Sequence, residues 1–294
     1  MEPYKTYKEY FNVYAVTAMS DDSGIGTVNT VKDIKFGSRF TSNRILCEQP
    51  DAAFAWAKKA DAGMDLSKSL VILLMNASTY EGITYMYGDG SALACCPIST
   101  DAYPYDFRGI VQHEAGGHGF GKLGDEYIYH NAYIQNCDCP DGCDHPQSDD
   151  DMMSSFGFYK SLGWYKNLSM NGDMRQVPWA HLIYHPQYSD YVDMFEGGYM
   201  HTRGMYRSEA TSCMNNNIPY FSAISRQAIV ERIKAYAGEE FSLADFYAHD
   251  NDDFGTITKY APAYPIDRTF GVDPLFHRGS GEGPVYMGEH PNVN

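Results

Sequence analysis

The chain lacks long hydrophobic runs and is poor in basic residues. Its longest apolar run, residues 70–75, is far short of the roughly 20 residues that cross a bilayer, so we predict no transmembrane segment. Lys and Arg number 22 against 38 Asp and Glu, and the formal net charge is -16. This balance argues against nucleic acid or anionic membrane as the main partner, because both bind clustered cations. The N-terminus also lacks the basic and apolar regions of a signal peptide.

Cysteines are too few for a small disulfide scaffold. There are seven, so at least one has no partner within the chain. Cys137, Cys139 and Cys143 form a cluster followed by His145, with a spacing that no standard zinc finger has. The cluster is compatible with a second, structural metal site, a disulfide loop or free thiols.

Two acidic clusters could supply oxygen ligands for Ca²⁺. They lie at residues 149–151 and at 250–253, where Asp250, Asp252 and Asp253 surround an asparagine. Neither has the EF-hand spacing, so we favour solvated loops over Ca²⁺ sites.

Hydrophobic patterning indicates an α/β (α+β) layer fold. Strands are predicted at residues 10–19, 69–75 and 80–87, and helices at 51–63, 107–118 and 221–238. The run at 69–75 is typical of a central strand, and that at 80–87 of an edge strand. Segment 119–220 is rich in Gly, Asp, Asn, Tyr and Pro, which indicates irregular structure.

The most informative segment is His113-Glu114-Ala115-Gly116-Gly117-His118. It resembles the zinc-binding pattern H-E-x-x-H, in which two histidines bind one metal ion and the glutamate acts on a water molecule. With ten histidines in the chain, a coincidental match at a glycine-broken helix end is the alternative.

The histidines are one residue further apart than in that pattern. Five residues at about 100° each separate their directions by roughly 140° on an α-helix, so one ion could not bind both. A π-type bulge would bring them back within roughly 50° of each other. We therefore predict such a bulge across Ala115–Gly117, where glycines tolerate the unusual backbone.

The continuation of this segment supplies a third candidate ligand. Gly121 follows the second histidine by three residues, and a glycine at this point can turn the chain back toward a metal. Asp125 is the predicted third ligand, because a carboxylate is an acceptable zinc ligand. Glu126 and a more distant residue are the alternatives, and a solvated acidic turn is the non-functional interpretation.

Two downstream residues could complete such a site. Met214, in Ser212-Cys213-Met214-Asn215, is a candidate for a methionine in a tight turn beneath the metal, although a lone methionine is more often plain core. Tyr206 could donate a hydrogen bond to the oxyanion of a tetrahedral intermediate. A tyrosine that merely locks a loop is an equally good interpretation.

Four segments resemble the bacterial IgA metallo-endopeptidase family of zinc peptidases. They are EPYKTYKEYFNVYAV (2–16), HEAGGHGFGKLGDEY (113–127), GGYMHTRGMYRSEATSCMN (197–215) and SRQAIVERI (225–233). The resemblance implies a metzincin-like zincin fold, one catalytic Zn²⁺ and endopeptidase activity. It assigns His113, His118 and Asp125 to the metal and Glu114 to catalysis.

The resemblance also implies an organisation and a location. We expect one catalytic domain over 1–294, with a mixed twisted sheet and an active-site helix in 1–118 and a loop-rich lower part in 119–294. Family members are typically exported and many carry an N-terminal β-sandwich, so an upstream domain could be absent from this chain. The extra residue between the histidines and the Cys137–Cys143 cluster depart from the shared pattern.

The function predicted from the sequence is hydrolysis of peptide bonds in extracellular proteins, those of a host included. Zn²⁺ bound by His113, His118 and Asp125 would activate a water molecule, and Glu114 would act as general base. One alternative is a zincin-fold protein without turnover that binds a host glycoprotein or glycan. Another is a zinc amidase or deacetylase. Secretion or a cell-surface or periplasmic location follows from the family resemblance alone.

Overall fold

A computed structural model describes residues 1–41, 44–133, 149–251 and 283–290. These residues form two compact units. The first unit comprises residues 9–120 and 283–290, and the second comprises 1–8 and 121–251. Both contain helices and strands, which confirms the mixed α/β composition. The single domain over 1–294 with its division after residue 118 stays a prediction.

The described strands are β1 (Ser38–Phe40), β2 (Ile45–Cys47), β3 (Leu70–Met75), β4 (Ile83–Met86), β5 (Ala92–Pro97), β6 (Ile128–Tyr133), β7 (Leu168–Ser169), β8 (Phe195–Gly198), β9 (Met200–Arg207) and β10 (Val285–Tyr286). The described helices are α1 (Pro50–Ala57), α2 (Phe107–Ile110), a π-helix (Val111–Phe120), α3 (Asp149–Ser161), α4 (Ala180–Ile183), α5 (Cys213–Asn216), α6 (Ala223–Ala237) and α7 (Leu243–His249). Short 3₁₀ turns lie at Lys8–Tyr10 and Leu66–Lys68. No helix among the described residues is long and apolar enough to cross a membrane.

A mixed sheet in the order β10-β4-β5-β3 forms the centre of the first unit. β5 is parallel to β3 and antiparallel to β4, and its six residues are all buried. Because side chains alternate along a strand, Leu93 and Cys95 pack on one face with Phe54 of α1. Ala94 and Cys96 face the other way and pack against the helices that carry the histidine motif.

Several predictions for the first unit need correction. Segment 10–19 is not a buried strand: it has no regular structure beyond a 3₁₀ turn, and Val13 is 91% exposed. Its β-branched and aromatic residues have high strand propensity, but such residues form a strand only where a neighbouring strand and a core are available for them to pack against. Helix α1 ends at Ala57 rather than near Gly63, in a tight turn in which the amides of Lys59 and Ala60 bond three residues back.

Further corrections concern strand positions. The strand at β3 is confirmed, but it lies at the end of the described sheet, where Leu74 is 54% exposed. β4 is confirmed as a strand, but β5 and β10 pair with its two sides, so it is not an edge in the described sheet. The central strand is β5, whose small residues and proline gave no clear pattern in the sequence.

The second unit contains a sheet that was not expected. Segment 119–220 was predicted to be irregular, yet β6, β7 and β8 all pair with β9. β7 and β8 have only two and four residues, and glycines interrupt β8 and β9, which hides the alternation in the sequence. Gly197 has a positive φ of 105°, and a Cβ there would lie 2.5 Å from the Ile128 side chain, so the close pairing requires glycine.

Helix α6 is the predicted helix at 221–238 and ends, as expected, at Gly238 in the left-handed conformation. Its N-terminus is capped from a distance. The carboxylate of Glu209 accepts a hydrogen bond of 2.6 Å from the Ala223 amide and one of 2.7 Å from the Tyr220 hydroxyl. Glu209 is 2% exposed, and burial raises its pKa to about 8 against the opposing effect of Arg226.

This shifted pKa has a consequence for stability. Between pH 4.5 and pH 8 the folded chain holds a proton on Glu209 that the unfolded chain has lost, so stability falls as pH rises through that window. We expect Glu209→Gln to remove this contribution, which approaches about 1.4 kcal/mol per pH unit. Urea unfolding of both proteins at pH 5, 6, 7 and 8 measures it. Parallel pH dependences for the two proteins would contradict the assignment.

Asp250, the first residue of the acidic cluster at 250–253, is not the solvated residue that was favoured. Both carboxylate oxygens of Asp250 accept hydrogen bonds of 2.7 Å from Arg226, in an ion pair that is 1% exposed on each side. The Tyr188 hydroxyl donates a further bond of 2.9 Å. Asp250 is therefore a structural anchor between α6 and the end of α7, and its carboxylate is not available for Ca²⁺. Asp252 and Asp253 lie outside the described residues, and 149–151 form the first turn of α3.

Candidate metal centre

The histidine motif lies on a π-helix rather than an α-helix. Asp106 caps α2 by accepting a hydrogen bond of 3.0 Å from the Arg108 amide, and α2 continues directly into the π-helix Val111–Phe120. In a π-helix each amide bonds a carbonyl five residues earlier, so residues five apart share one side. The π geometry predicted from the spacing of His113 and His118 is confirmed, and it extends over ten residues rather than a local bulge.

The π geometry brings the two imidazoles together. The Nε2 atoms of His113 and His118 lie 3.1 Å apart, with their rings at 78° and each side chain 1% exposed. Two nitrogens bound to one tetrahedral Zn²⁺ at 2.0–2.1 Å would lie about 3.3 Å apart. Two buried imidazole nitrogens at this separation therefore fit a shared metal ion.

Glu114 completes this cluster. One ligand atom from each of His113, Glu114 and His118 lies within 4.8 Å of the others, and all three residues are buried. Because Glu114 directly follows a histidine, its carboxylate reaches the same region from a neighbouring position on the helix. The three residues that the motif predicted to act together are thus adjacent in the structure.

The start of β4 borders the Glu114 carboxylate. The Thr84 hydroxyl lies 2.8 Å from Oε2 of Glu114 and 2.9 Å from its backbone carbonyl oxygen. A Cβ at Gly82 would lie 2.6 Å from Cγ and 2.9 Å from Oε1 of Glu114, so glycine leaves the room that the side chain occupies. Positions 82 and 84 share one face of the strand, and that face meets Glu114.

A cysteine also lies near Glu114, but it stays a neutral thiol. Cys96 is fully buried, and burial together with the nearby Glu114 charge raises the pKa of its thiol well above the usual value. Cys47, Cys95 and Cys213 are likewise buried, and none of them forms a disulfide with another described cysteine. Cys137, Cys139, Cys143 and His145 lie outside the described residues, so the three interpretations of that cluster stand.

Asp125 and Glu126 belong to the second unit, where both are buried. Both carboxylate oxygens of Glu126 accept hydrogen bonds from neighbouring side chains. Oε1 accepts one of 2.9 Å from Asn167, and Oε2 accepts one of 2.6 Å from Ser212. The carbonyl of Asp125 accepts a bond of 2.9 Å from the Tyr199 amide.

The segment around Met214 is joined to the same region. The Glu126 amide donates a hydrogen bond of 2.9 Å to the Met214 carbonyl, and Asn215 donates one of 3.2 Å to the Glu126 carbonyl. Met214 is fully buried in the one-turn helix α5, which the Ser212 hydroxyl caps. Met214 thus lies in a tight turn beside the segment that carries Asp125.

Tyr206 lies on β9 and is half-buried. A Cβ at Gly172 would lie 3.1 Å from its hydroxyl, so the ring packs closely on the loop around that glycine. Its neighbour Arg207 is fully buried and donates to the Gly197 and Ala210 carbonyls, which makes Arg207 part of the scaffold. The catalytic role of Tyr206 stays a prediction.

The sequence reasoning missed Gly82 and Thr84. A weak signal was available, because Thr84 is a polar residue inside the short apolar strand Ile83–Met86 and has no exposed surface. Buried hydroxyls almost always have a hydrogen-bond partner. The identity of that partner depends on the packing of the strand against the helix, which the sequence does not display.

A buried histidine pair with an adjacent glutamate, all carried on one helix against a sheet, is compatible with a metal-dependent hydrolase. A comparison with protein families identifies the particular group. The family model described as IgA Peptidase M64 matches residues 1–148, and the chain belongs to this peptidase family. No curated protein matches the chain. The family resemblance predicted from the sequence is therefore confirmed.

Proposed function

We propose that this chain is a zinc-dependent endopeptidase with a metzincin-like catalytic fold. The observation that carries the proposal is the 3.1 Å separation of the Nε2 atoms of His113 and His118, buried beside Glu114 in a member of a peptidase family. A protein or peptide substrate follows from the family. An extracellular substrate and a secreted or cell-surface location remain part of the proposal.

Asp125 is the proposed third metal ligand. Glu126, the alternative, already accepts hydrogen bonds at both carboxylate oxygens from Asn167 and Ser212. The hydrogen bonds between Glu126 and the turn at Met214 support the comparison with a methionine turn. Two histidines and one carboxylate form a ligand set that suits Zn²⁺ and leaves a coordination position for substrate or water.

Zn²⁺ held by these residues would lower the pKa of a water molecule toward about 7 and polarise the scissile carbonyl. Glu114 accepts the proton of the attacking water and then donates it to the leaving amine, so its carboxylate acts first as base and then as acid. Tyr206 is proposed to donate a hydrogen bond to the developing oxyanion. The presence of Glu114 favours this hydrolytic function over a binding protein without turnover.

The test combines metal analysis with an unbiased substrate. We expect the purified protein to carry one zinc ion per chain and to cleave internal bonds in a mixed peptide library. A chelator should abolish cleavage and added Zn²⁺ should restore it. The library should include acetyl-lysine peptides, because removal of acetyl groups without backbone cleavage would identify an amidase or deacetylase instead. Zinc-loaded protein that leaves the whole library intact would overturn the proposal.

A further inference from the structure

The hydroxyl of Thr84 makes a contact with the Glu114 carboxylate that the histidine motif does not account for. We propose that Thr84 is a positioning residue that holds this carboxylate in the orientation needed for proton transfer. The inference rests on the proposed function, since it concerns the group proposed as the base. Three observations support it: one hydrogen bond, one close packing contact and the burial of both partners.

The hydrogen bond is short and fully buried. Thr84 Oγ1 lies 2.8 Å from Glu114 Oε2, and the two residues are 0% and 1% exposed. A bond from a hydroxyl to a charged carboxylate is roughly twice as strong as one between neutral groups. Because both partners are buried, the bond is electrostatically stronger than it would be at the surface, and it helps to fix the position of Oε2.

The same hydroxyl also reaches the helix backbone. It lies 2.9 Å from the carbonyl oxygen of Glu114. The carboxylate and the main chain of Glu114 are therefore both close to one atom of β4, the Thr84 hydroxyl oxygen. A hydroxyl has a single proton to donate, and the charged carboxylate is the stronger acceptor. Thr84 therefore holds the carboxylate with its one proton while lying within hydrogen-bonding distance of the Glu114 main chain.

Gly82 borders the other oxygen of the carboxylate, Oε1. A side chain there would overlap Cγ of Glu114 at 2.6 Å and Oε1 at 2.9 Å. The glutamate is therefore bounded by the backbone at position 82 and by the hydroxyl at position 84. Long glutamate side chains have several rotamers, and these two contacts restrict the choice.

Positioning of this kind affects turnover more than substrate binding. A general base must lie within about 2.6–3.2 Å of the proton that it takes, and small displacements of a reacting group cost large factors in rate. Thr84→Val keeps the shape of the residue and removes the hydroxyl. We expect kcat to fall about 10–100-fold, with KM and bound zinc unchanged. Thr84→Ser retains the hydroxyl and should recover kcat to within about threefold of wild type.

Two controls separate positioning from general destabilisation. Ser91 is a fully buried residue of the same unit whose hydroxyl donates a bond of 2.7 Å to Asp89, so Ser91→Ala removes a similar bond away from the histidines. Its melting temperature should fall while kcat stays unchanged. In the Glu114→Gln background, Thr84→Val should change the residual kcat by less than about twofold, because its effect passes through the carboxylate.

The outcomes are distinct. If the wild type is active and the kcat of the Thr84→Val protein is within twofold of the wild-type value, the positioning role is overturned. The proposed function is left intact by that result. Equal losses in the Thr84→Val and Thr84→Ser proteins, or an undiminished loss in the Glu114→Gln background, also overturn it. Wild type with zinc but without turnover overturns both proposals. If the valine variant does not fold, Thr84→Ala, which introduces no added bulk, takes its place in every comparison.

Discussion

Glu114→Gln should retain one zinc ion per chain and lose about 10²–10⁴-fold in kcat. The substitution removes the base but neither histidine, and a glutamine side chain has almost the same volume as glutamate. Glutamine also offers an oxygen that can accept the Thr84 hydroxyl, so the packing between β4 and the π-helix should survive. Metal analysis, melting temperature and kcat on a cleaved library peptide measure the three properties separately.

His118→Ala is the comparison for this variant. It removes one of the two nitrogens that lie 3.1 Å apart, so both zinc and turnover should be lost. The contrast between the two variants separates the role of base from the role of ligand. A Glu114→Gln protein that cleaves at a near wild-type rate would rule out the proposed mechanism, and one that loses its zinc would make Glu114 a ligand.

Asp125→Asn should weaken zinc binding by more than about 100-fold if Asp125 is the third ligand. Changing a residue that only hydrogen-bonds a ligand typically costs about 10–100-fold in metal affinity, and loss of the ligand itself should cost more. Asparagine keeps the size of the side chain and removes its charge. Competition against a chelator of known zinc affinity gives the change directly. Turnover should fall in step with zinc occupancy and recover at high zinc concentration.

Glu126→Gln is the matched control, with the same chemical change one residue away. Its carboxylate accepts hydrogen bonds from Asn167 and Ser212 and interacts with the charge of the buried Arg207. The substitution should therefore destabilise the fold by about 1–3 kcal/mol and leave zinc affinity unchanged. If Glu126→Gln releases zinc while Asp125→Asn retains it, the ligand assignment is reversed. The proposed peptidase function would survive that result.

The parts of the site that could be predicted are those encoded over short distances. The motif from His113 to His118 contains all three residues of the cluster. The step of five positions from one histidine to the other is enough to require π geometry once both must face one ion. Helix α6 could also be predicted from the sequence, because its apolar positions and the terminal Gly238 are local signals. These inferences use only helical periodicity and capping.

The parts that could not be predicted depend on pairing between distant segments. Segment 10–19 has the composition of a strand but no partner among the described strands, whereas β5 has a weak composition and two partners. The cap on α6 comes from Glu209, fourteen residues before the amide that it accepts. Thr84 meets Glu114 across thirty residues of sequence. Local patterns carry no information on such contacts.

The π-helix also changes what should be treated as invariant when related chains are compared. In an H-E-x-x-H helix the histidines are four residues apart, and in this chain the same facing of two imidazoles is reached with five. The wider turn of the π-helix accommodates the inserted residue, so neither histidine is displaced from the other. Alignments that penalise a gap inside this motif would separate chains whose histidines face one another equally well. The direction of the side chains, rather than their count along the chain, is the property to compare.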